Sequence, residues 1–476
     1  MRRFIDAEKE LHEECGVFGI FQNEDAAQLT YYGLHALQHR GQEGCGIVSM
    51  DACDLHAYKG KGLVSEVFDD RCLSQLTGCY AIGHVRYSTA GGNEIENVQP
   101  LVANLQRHKF AVCHNGQIVN AKELRLELEK QGCIFQGSSD SEIILHLIQK
   151  GAGTFLQRIK NAFQQLEGAF ACLILCEEGI YAIRDHNGLR PLSYAVMKEG
   201  ICISSESCAF DVIGAYDMED VKPGEIVCIL QEGIIKTNYC DHVQNRMCAM
   251  EYIYFSRPDS VIDGINVHDA RKLSGIYMAI QDYDDQDTKA DIVIGVPDSS
   301  TSAAIGYAQS SGLPFEIGLV KNRYIGRTFI QPTQAQRDRG VRMKLSAIEA
   351  IVKDKSVVMI DDSIVRGTTS KRIVQLLKEA GAREVHVRIA SPAIRFPCFY
   401  GVDTSSYEEL ICARMDERAL CEYIQADSLK FFTIEGLRKC LHEKSLCTAC
   451  FDGRYVTSLF SYGQLKDSLH KYDENA

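Results

Sequence analysis

The stretch Val357–Ser370, V-V-M-I-D-D-S-I-V-R-G-T-T-S, constrains the fold more tightly than any other part of the chain. Val357, Val358, Met359 and Ile360 form an uninterrupted apolar run, the pattern of a parallel strand covered on both faces. The run ends on an acidic pair, Asp361-Asp362, and a loop holding Gly367, Thr368, Thr369 and Ser370 follows. Ile373, Val374, Leu376 and Leu377 then recur at helical spacing, and Gly381 stands where that helix would stop. A loop opening a helix presents unpaired N–H groups and a favourable dipole to a phosphate. Two carboxylates one step earlier would repel a nucleotide's phosphates, but they accept hydrogen bonds from sugar hydroxyls or help hold a divalent metal. The implied ligand is a phosphorylated sugar with free hydroxyls. An ordinary strand–turn–helix with a capping Asp is the bland alternative.

The segment resembles the 5-phosphoribosyl-1-pyrophosphate (PRPP) motif of the type I phosphoribosyltransferases. That resemblance assigns Asp361 and Asp362 to the ribose hydroxyls, and Arg366, Gly367, Thr368, Thr369 and Ser370 to the rest of PRPP, with the loop on its 5-phosphate. The G-x-x-x-x-G-K-[ST] pattern of P-loop nucleotide hydrolases is absent.

A chain of 476 residues exceeds one ordinary core, so two domains are expected. The first half offers short β-type runs at Gly16–Phe21, Gly46–Met50, Tyr80–Val85, Phe110–Cys113, Ala169–Cys176 and Ile201–Ser205. Helical patterns at Ala121–Lys130 and Ser141–Gln149 lie between them, which reads as α+β. The second half alternates strand (Ile292–Val296), helix (Ser302–Ala308), strand (Val357–Ile360), helix (Lys371–Ala380) and strand (Val385–Ile389). That order predicts a doubly wound α/β parallel sheet with ligands at the carboxyl ends of its strands. The polar stretch Tyr239–Arg246 carries the expected boundary, giving 15–242 and 243–476 after a short charged leader, 1–14.

A net charge of -13 argues against sequence-independent nucleic-acid binding and against an anionic membrane surface. No apolar run reaches the length of a membrane span, and Met1–Glu14 has no apolar core of a secretory signal, so the cytoplasm is the expected location. Twenty scattered cysteines do not form a disulfide framework for such a chain. Most read as small buried apolar residues, as Cys172 and Cys176 beside Leu173 and Ile174.

Cys15 opens C-G-V-F-G directly after the leader. Its companions are G-L-H-A-L-Q-H-R-G-Q-E (Gly33–Glu43), Arg86 in G-H-V-R-Y-S-T-A-G, Asn115-Gly116 in C-H-N-G and Asp140 in S-S-D-S-E. The set resembles the class II glutamine amidotransferases, whose N-terminal nucleophile (Ntn) fold uses the first residue of the mature chain. Hydrolysing an amide needs a nucleophile, and a thiolate is the best side chain available. An N-terminal Cys also supplies an α-amine whose pKa suits a general base near neutrality, provided the leader is removed. The resemblance implies an oxyanion hole from Asn115 and Gly116. It also implies glutamine binding by Arg86, through a bidentate fork to the α-carboxylate, and by Asp140 on the α-ammonium. Structural ion pairs and a hairpin turn are the alternatives for these residues.

Together the halves resemble the glutamine PRPP amidotransferases. The family's reaction would take PRPP, glutamine and water to 5-phosphoribosylamine, glutamate and pyrophosphate, the first committed step of purine synthesis. Gly295–Ser302 (G-V-P-D-S-S-T-S) is a small-residue loop suited to pyrophosphate. One Mg²⁺ per subunit is expected to neutralise that leaving group, held by Ser299, Asp361 and Asp362. The basic run Lys321–Lys344 corresponds to a flap that closes over PRPP. His186 stands where that family commonly has proline.

Cys447-Thr448-Ala449-Cys450 is a C-x-x-C that alone could be redox-active or simply buried. Composition does not choose its partners, because Cys240, Cys421 and Cys440 compete with Cys248 and Cys398, and four thiolates would also suit zinc. The surroundings M-C-A-M-E-Y, R-F-P-C-F-Y-G and C-T-A-C-F-D-G resemble the leader-peptide branch of the family. That resemblance implies one [4Fe–4S] cluster per subunit on Cys248, Cys398, Cys447 and Cys450, with a structural role far from the chemistry. It further implies purine nucleotide inhibitors and a homotetramer or homodimer. A PRPP- or purine-sensing regulator without catalysis is the alternative; it would gain nothing from a complete glutaminase set.

Overall fold

The computed structural model describes residues 15–463, apart from 53, 88–91, 93, 105–108, 284–288, 323–344, 405 and 443. The leader 1–14 and nearly all of the basic run lie outside the described residues.

Two antiparallel sheets form the first half. One has seven strands in the order Tyr216–Asp220, Ser193–Val196, Ile201–Ser204, Gly16–Phe21, Tyr80–Arg86, Gly44–Met50, Leu55–Lys61. The other has six, in the order Gly233–Asn238, Glu225–Leu230, Gly179–Arg184, Gly168–Cys176, Lys109–Ile118, Leu101–Asn104. Strand alternation sorts the side chains. Val17 and Phe21 point to the interior shared with Ala171, Leu173 and Val227 of the second sheet. Phe18 and Ile20 point the other way, onto the helix Ala26–Ala36. The second sheet's outer face packs on the helices Ser141–Lys150 and Phe155–Phe163 through Ile144, Ile148, Ile159 and Phe163. The result is helix, sheet, sheet, helix, with the central strands of both sheets buried and the edge strands Leu55–Lys61, Tyr216–Asp220 and Gly233–Asn238 partly exposed.

The second half holds a four-stranded parallel sheet, Ile292–Gly295, Ser356–Asp361, Glu384–Ile389 and Ser428–Phe431. Val293, Val358 and Ile360 face the helices Val267–Asp282 and Thr301–Ser311. Ile292, Val357 and Met359 face Ile373, Val374 and Leu377 of the helix Thr368–Glu379. The expected α/β sheet is present. Its fourth strand was not foreseen, because S-L-K-F is too short and too mixed to carry a period.

Between the sheets the chain makes a π-helical turn, Glu251–Phe255, and a two-residue parallel pairing of Met247-Cys248 with Leu446-Cys447. No described helix is long and apolar enough to cross a membrane.

Candidate active sites

Cys15 is 9% exposed and precedes the central strand of the seven-stranded sheet. That strand pairs along its length with Tyr80–Arg86, which brings Arg86 to the same end of the sheet. The Cys15 thiol lies 3.5 Å from the Tyr87 carbonyl oxygen. Burial pushes the thiol up, opposed by that carbonyl contact and by the charge of Arg86, while Asp140 adds to the rise. The structure therefore gathers Cys15, Arg86 and Asp140 within electrostatic reach of one another.

Arg86 donates from Nη2 to the Gly92 carbonyl at 3.1 Å, but its buried Nη1 has no hydrogen-bond partner among the described residues. Asn115 is wholly buried on the strand Lys109–Ile118, and neither its Oδ1 nor its Nδ2 has a partner among the described residues. Leaving such groups unpaired costs about 1–3 kcal/mol each, so they are unusual unless something else binds them. Gly116 follows at φ +135°, and a Cβ there would stand 2.0 Å from the Ala169 carbonyl oxygen, so only glycine fits. Asp140 precedes the helix Ser141–Lys150, and its Oδ2 accepts from the Ile118 N–H at 2.8 Å. His84 donates from Nε2 to the His114 carbonyl at 3.1 Å, which pins the two sheets together beside Arg86 and Asn115. Burial holds the His84 imidazole down, to about 3, so it is neutral at physiological pH.

The second site lies at the carboxyl end of the parallel sheet, as expected for this class of sheet. Asp361 ends the strand Ser356–Asp361, and Asp362 follows; both are buried. Ser299 donates to Asp362 Oδ2, and Ser300 donates to Asp361 Oδ1 at 3.3 Å. Burial pushes the Asp362 carboxyl up, opposed by Ser299, Ser363 and Arg271. Gly367, at φ +73°, caps the helix Thr368–Glu379; Thr368 and Thr369 are exposed at its N-terminus and Ser370 is buried. Arg366 pairs with Glu409 at 2.9 Å. Of the basic run, Lys321 is described; it ends the strand Leu319–Lys321 and lies 3.7 Å from Asp298 of the pyrophosphate-type loop.

Cys248, Cys398, Cys447 and Cys450 line one small pocket, together with Leu189, Arg190 and Tyr400. Their thiols sense one another: burial first, then Cys248 and Cys398, push Cys450 up. Burial raises Cys248 to about 11, with Arg190 opposing. Cys440 shares the large core that includes Cys248 but does not line this pocket; Cys421 lies in another core, and Cys240 packs against the first half's outer helices. Among the described residues no group of three or more His, Cys, Asp or Glu side chains converges tightly enough for a single metal ion.

One expectation needs correcting. The cysteines were expected to lie far from the chemistry, inside the second half. Instead, Leu189 and Arg190 of the first half form part of their cavity. A Cβ at Gly401 would come 3.6 Å from the Gly116 Cα, so the loop after Cys398 rests on the strand bearing Asn115. Val119 and Ala169 pack with Tyr400, Cys447 and Ala449 in the same small core. Sequence distance hid this, because contacts between residue 116 and residue 401 leave no local pattern.

Sequence reasoning also missed a buried charge cluster. Arg40, 1% exposed, donates from Nε to the Cys15 carbonyl at 3.1 Å and from Nη1 to Glu206 at 2.5 Å. Its Nη2 reaches Glu251 at 2.7 Å. The signal was available: Arg40 lies in H-R-G-Q-E and Glu251 in C-A-M-E-Y, both segments already singled out.

Residues 84–212 match the model of a glutamine amidotransferase domain, and residues 265–392 that of a phosphoribosyl transferase domain. Amidophosphoribosyltransferase of Bacillus subtilis (strain 168) is 54% identical over 460 residues, covering 95% of this chain and 96% of the relative. The enzyme of that name from Staphylococcus aureus (strain MRSA252) is 50% identical, covering 95% of this chain and 92% of its own. A solved structure described as glutamine PRPP amidotransferase from B. subtilis complexed with ADP and GMP superposes with a TM-score of 0.88 at 52% identity, covering 94% and 98% of the two chains. Another, described as the allosteric regulatory enzyme of purine biosynthesis, gives 0.89 at 54%, covering 94% and 97%. With both of its sites built as above and relatives matched over almost their whole length, the chain belongs to the amidophosphoribosyltransferase family.

Proposed function

We propose that Cys15 and the Asp361-Asp362 pair are the two working ends of an enzyme that moves ammonia from glutamine to PRPP, giving 5-phosphoribosylamine, glutamate and pyrophosphate. The unpartnered Asn115 amide and Arg86 Nη1 around a buried thiol carry the reading, because glutamine supplies what both lack. Arg86 takes the substrate α-carboxylate, and Asp140 its α-ammonium. The Cys15 thiolate attacks the side-chain amide carbon. Asn115 Nδ2 and the Gly116 N–H then hold the developing oxyanion, a contribution worth about 10²–10³ in rate per donor. Removal of residues 1–14 frees the Cys15 α-amine to act as base and to protonate the departing ammonia. The intact mass of the mature protein, beginning at Cys15 or at Met1, tests that step.

At the second site Asp361 and Asp362 accept from the ribose hydroxyls, and the N-terminus of Thr368–Glu379 holds the 5-phosphate, with Arg366 and Ser370 beside it. Ser299, Asp361 and Asp362 offer oxygen donors to one Mg²⁺, which when bound neutralises pyrophosphate as it leaves. Closure of the basic run 321–344 over PRPP would exclude water and complete a passage for ammonia. Purine nucleotides compete for the PRPP site. The working form is a homotetramer or homodimer in the cytoplasm.

The four-cysteine cavity fits one [4Fe–4S] cluster better than one zinc, whose thiolates would have to converge at about 2.3 Å from a single centre. Four cysteines that line one pocket, with Arg190 beside Cys248 to offset a net negative group, suit a multinuclear anion. Anaerobically purified protein should be brown, with about four irons per chain; a colourless, active protein with stoichiometric zinc would refute this assignment.

The central test is Cys15→Ala. Glutamine-dependent synthesis should fall by about 10⁴-fold or more, while synthesis from free ammonia persists. Retention of glutamine use would remove Cys15 from the mechanism.

A further inference from the structure

A buried path of hydrogen bonds runs from Cys15 to Arg271, which stands beside the second site. It starts at the Cys15 carbonyl, which accepts from Arg40. Arg40 forks onto both carboxylate oxygens of Glu251, at 3.0 and 2.7 Å. Glu251, wholly buried, also accepts from the Ser256 hydroxyl at 2.7 Å. The Ser256 carbonyl accepts in turn from Arg271 Nη2 at 2.8 Å, and Arg271 Nε binds the Tyr252 carbonyl at 2.8 Å. Arg271 is buried on the helix Val267–Asp282, and it lines the same space as Asp362, Ser299 and Ser300. Arg271 and Asp362 lie near enough to sense each other's charge.

The middle of this path is the π-helical turn Glu251–Phe255. Wide i→i+5 turns are uncommon and occur often at functional sites. Arg271 grips this one by the carbonyls at Tyr252 and Ser256, so its guanidinium, not an ordinary helical ladder, sets the turn's shape. Arg271 lies beside Asp362, so an anionic ligand bound there would compete for its guanidinium. A shift of Arg271 would pass through Ser256 to Glu251, where Arg40, which binds the Cys15 carbonyl, is anchored.

We propose that Glu251 and Arg271 are positioning residues that link the PRPP site to the glutaminase site through the turn Glu251–Phe255. This rests on the assignment of Cys15 and Asp361-Asp362 above. Neither residue touches the reacting atoms. Arg271 reports the state of the acidic pair, and Glu251 transmits it to the carbonyl of the nucleophile. Physical coupling of this kind requires an element with two arrangements that both sites bias, and on this proposal the turn is that element.

The full-length protein with Glu251→Gln, and separately with Ser256→Ala, tests the link. Two rates are read in each: synthesis of phosphoribosylamine from free ammonia as PRPP is varied, and alkylation of Cys15 by 6-diazo-5-oxo-norleucine with and without PRPP. Both variants should keep ammonia-dependent synthesis and its PRPP saturation. The acceleration of Cys15 alkylation by PRPP should fall by roughly fivefold or more, the scale of ordinary site-to-site coupling. Unchanged acceleration in Ser256→Ala, whose single lost hydroxyl does not threaten folding, together with the same result in Glu251→Gln, would overturn the link. Loss of ammonia-dependent synthesis in parallel would overturn it too, by placing these residues in PRPP binding itself. Failure of the unaltered protein to be alkylated at Cys15 would instead refute the nucleophile assignment.

Discussion

The two sites are prepared for their substrates in opposite ways. Around Cys15 the polar groups are held in place without partners: both polar atoms of Asn115 and Nη1 of Arg86 are buried and unsatisfied. Around Asp361 and Asp362 the chain satisfies its own carboxylates, through Ser299 and Ser300. The first site is therefore costly at rest, and on the assignment proposed above glutamine relieves the cost. The second is satisfied at rest, and on the same assignment PRPP displaces hydroxyls already bonded. The difference follows from architecture. Asn115 and Arg86 sit within strands of two stacked sheets, where backbone pairing fixes them whatever their side chains lack. The acidic pair and its serines sit where strands give way to loops, and loops can rearrange.

The strongest challenge to this contrast is the double variant Asp361→Asn with Asp362→Asn. Removing two charged acceptors should lower kcat/KM for PRPP by about 3–6 kcal/mol in activation terms, equally for ammonia and for glutamine. A loss confined to the glutamine reaction would mean the pair serves the wrong site.

Next comes the charge cluster that backs the first site. Burial raises the Glu206 carboxyl, but His39 and Arg40 more than compensate and hold it well below the usual carboxylate range. A depressed carboxyl contributes stability above its unfolded pKa and loses it as pH falls. Glu206→Gln should thus destabilise the fold by about 3 kcal/mol near pH 7, since it removes one of the two buried carboxylates paired with Arg40. The gap should narrow toward acid, where the wild-type carboxylate is protonated as well. Melting curves at neutral and acid pH check this; a gap that widens in acid would reverse the sign of the argument.

The smallest effect should come from Asn115→Ala. Glutamine-dependent kcat should fall by about 10²–10³, with KM for glutamine and ammonia-dependent synthesis little changed. Because the buried amide was unsatisfied, the variant should also melt no lower than the parent. A clear drop in melting temperature would show that Asn115 supports the fold and is not held in readiness.

Much of this was legible in the sequence because it is written locally. The run from Val357 to Ser370 carries strand, acid pair, anion loop and helix in order, and each appears where expected. Cys15, Arg86, Asn115 and Asp140 were readable as a set through their resemblance to the class II glutamine amidotransferases, since taken singly each also has a structural reading. Edge strands such as Leu55–Lys61 and Gly233–Asn238 were not, since a half-exposed L-H-A-Y-K-G-K has no clean alternation. Arg40, Glu206, Glu251 and Arg271 were not read as a buried set, although Arg40 and Glu251 lie in segments already singled out, because a charged residue reads as surface until its partners are known, and these partners lie up to 211 positions away.

The seat of Gly401 against Gly116 has a consequence for the order in which the protein is made. The strand Lys109–Ile118 leaves the ribosome early, and domains generally fold as they emerge. Its outer support, however, comes from Tyr400, Cys447 and Ala449, and Gln117 is met by the hydroxyl of Tyr462 at 3.2 Å. A nascent first domain would therefore hold a thiol and an amide pocket whose back wall has yet to be translated. Glutamine would not be spent by an unfinished enzyme with no PRPP site to receive its ammonia.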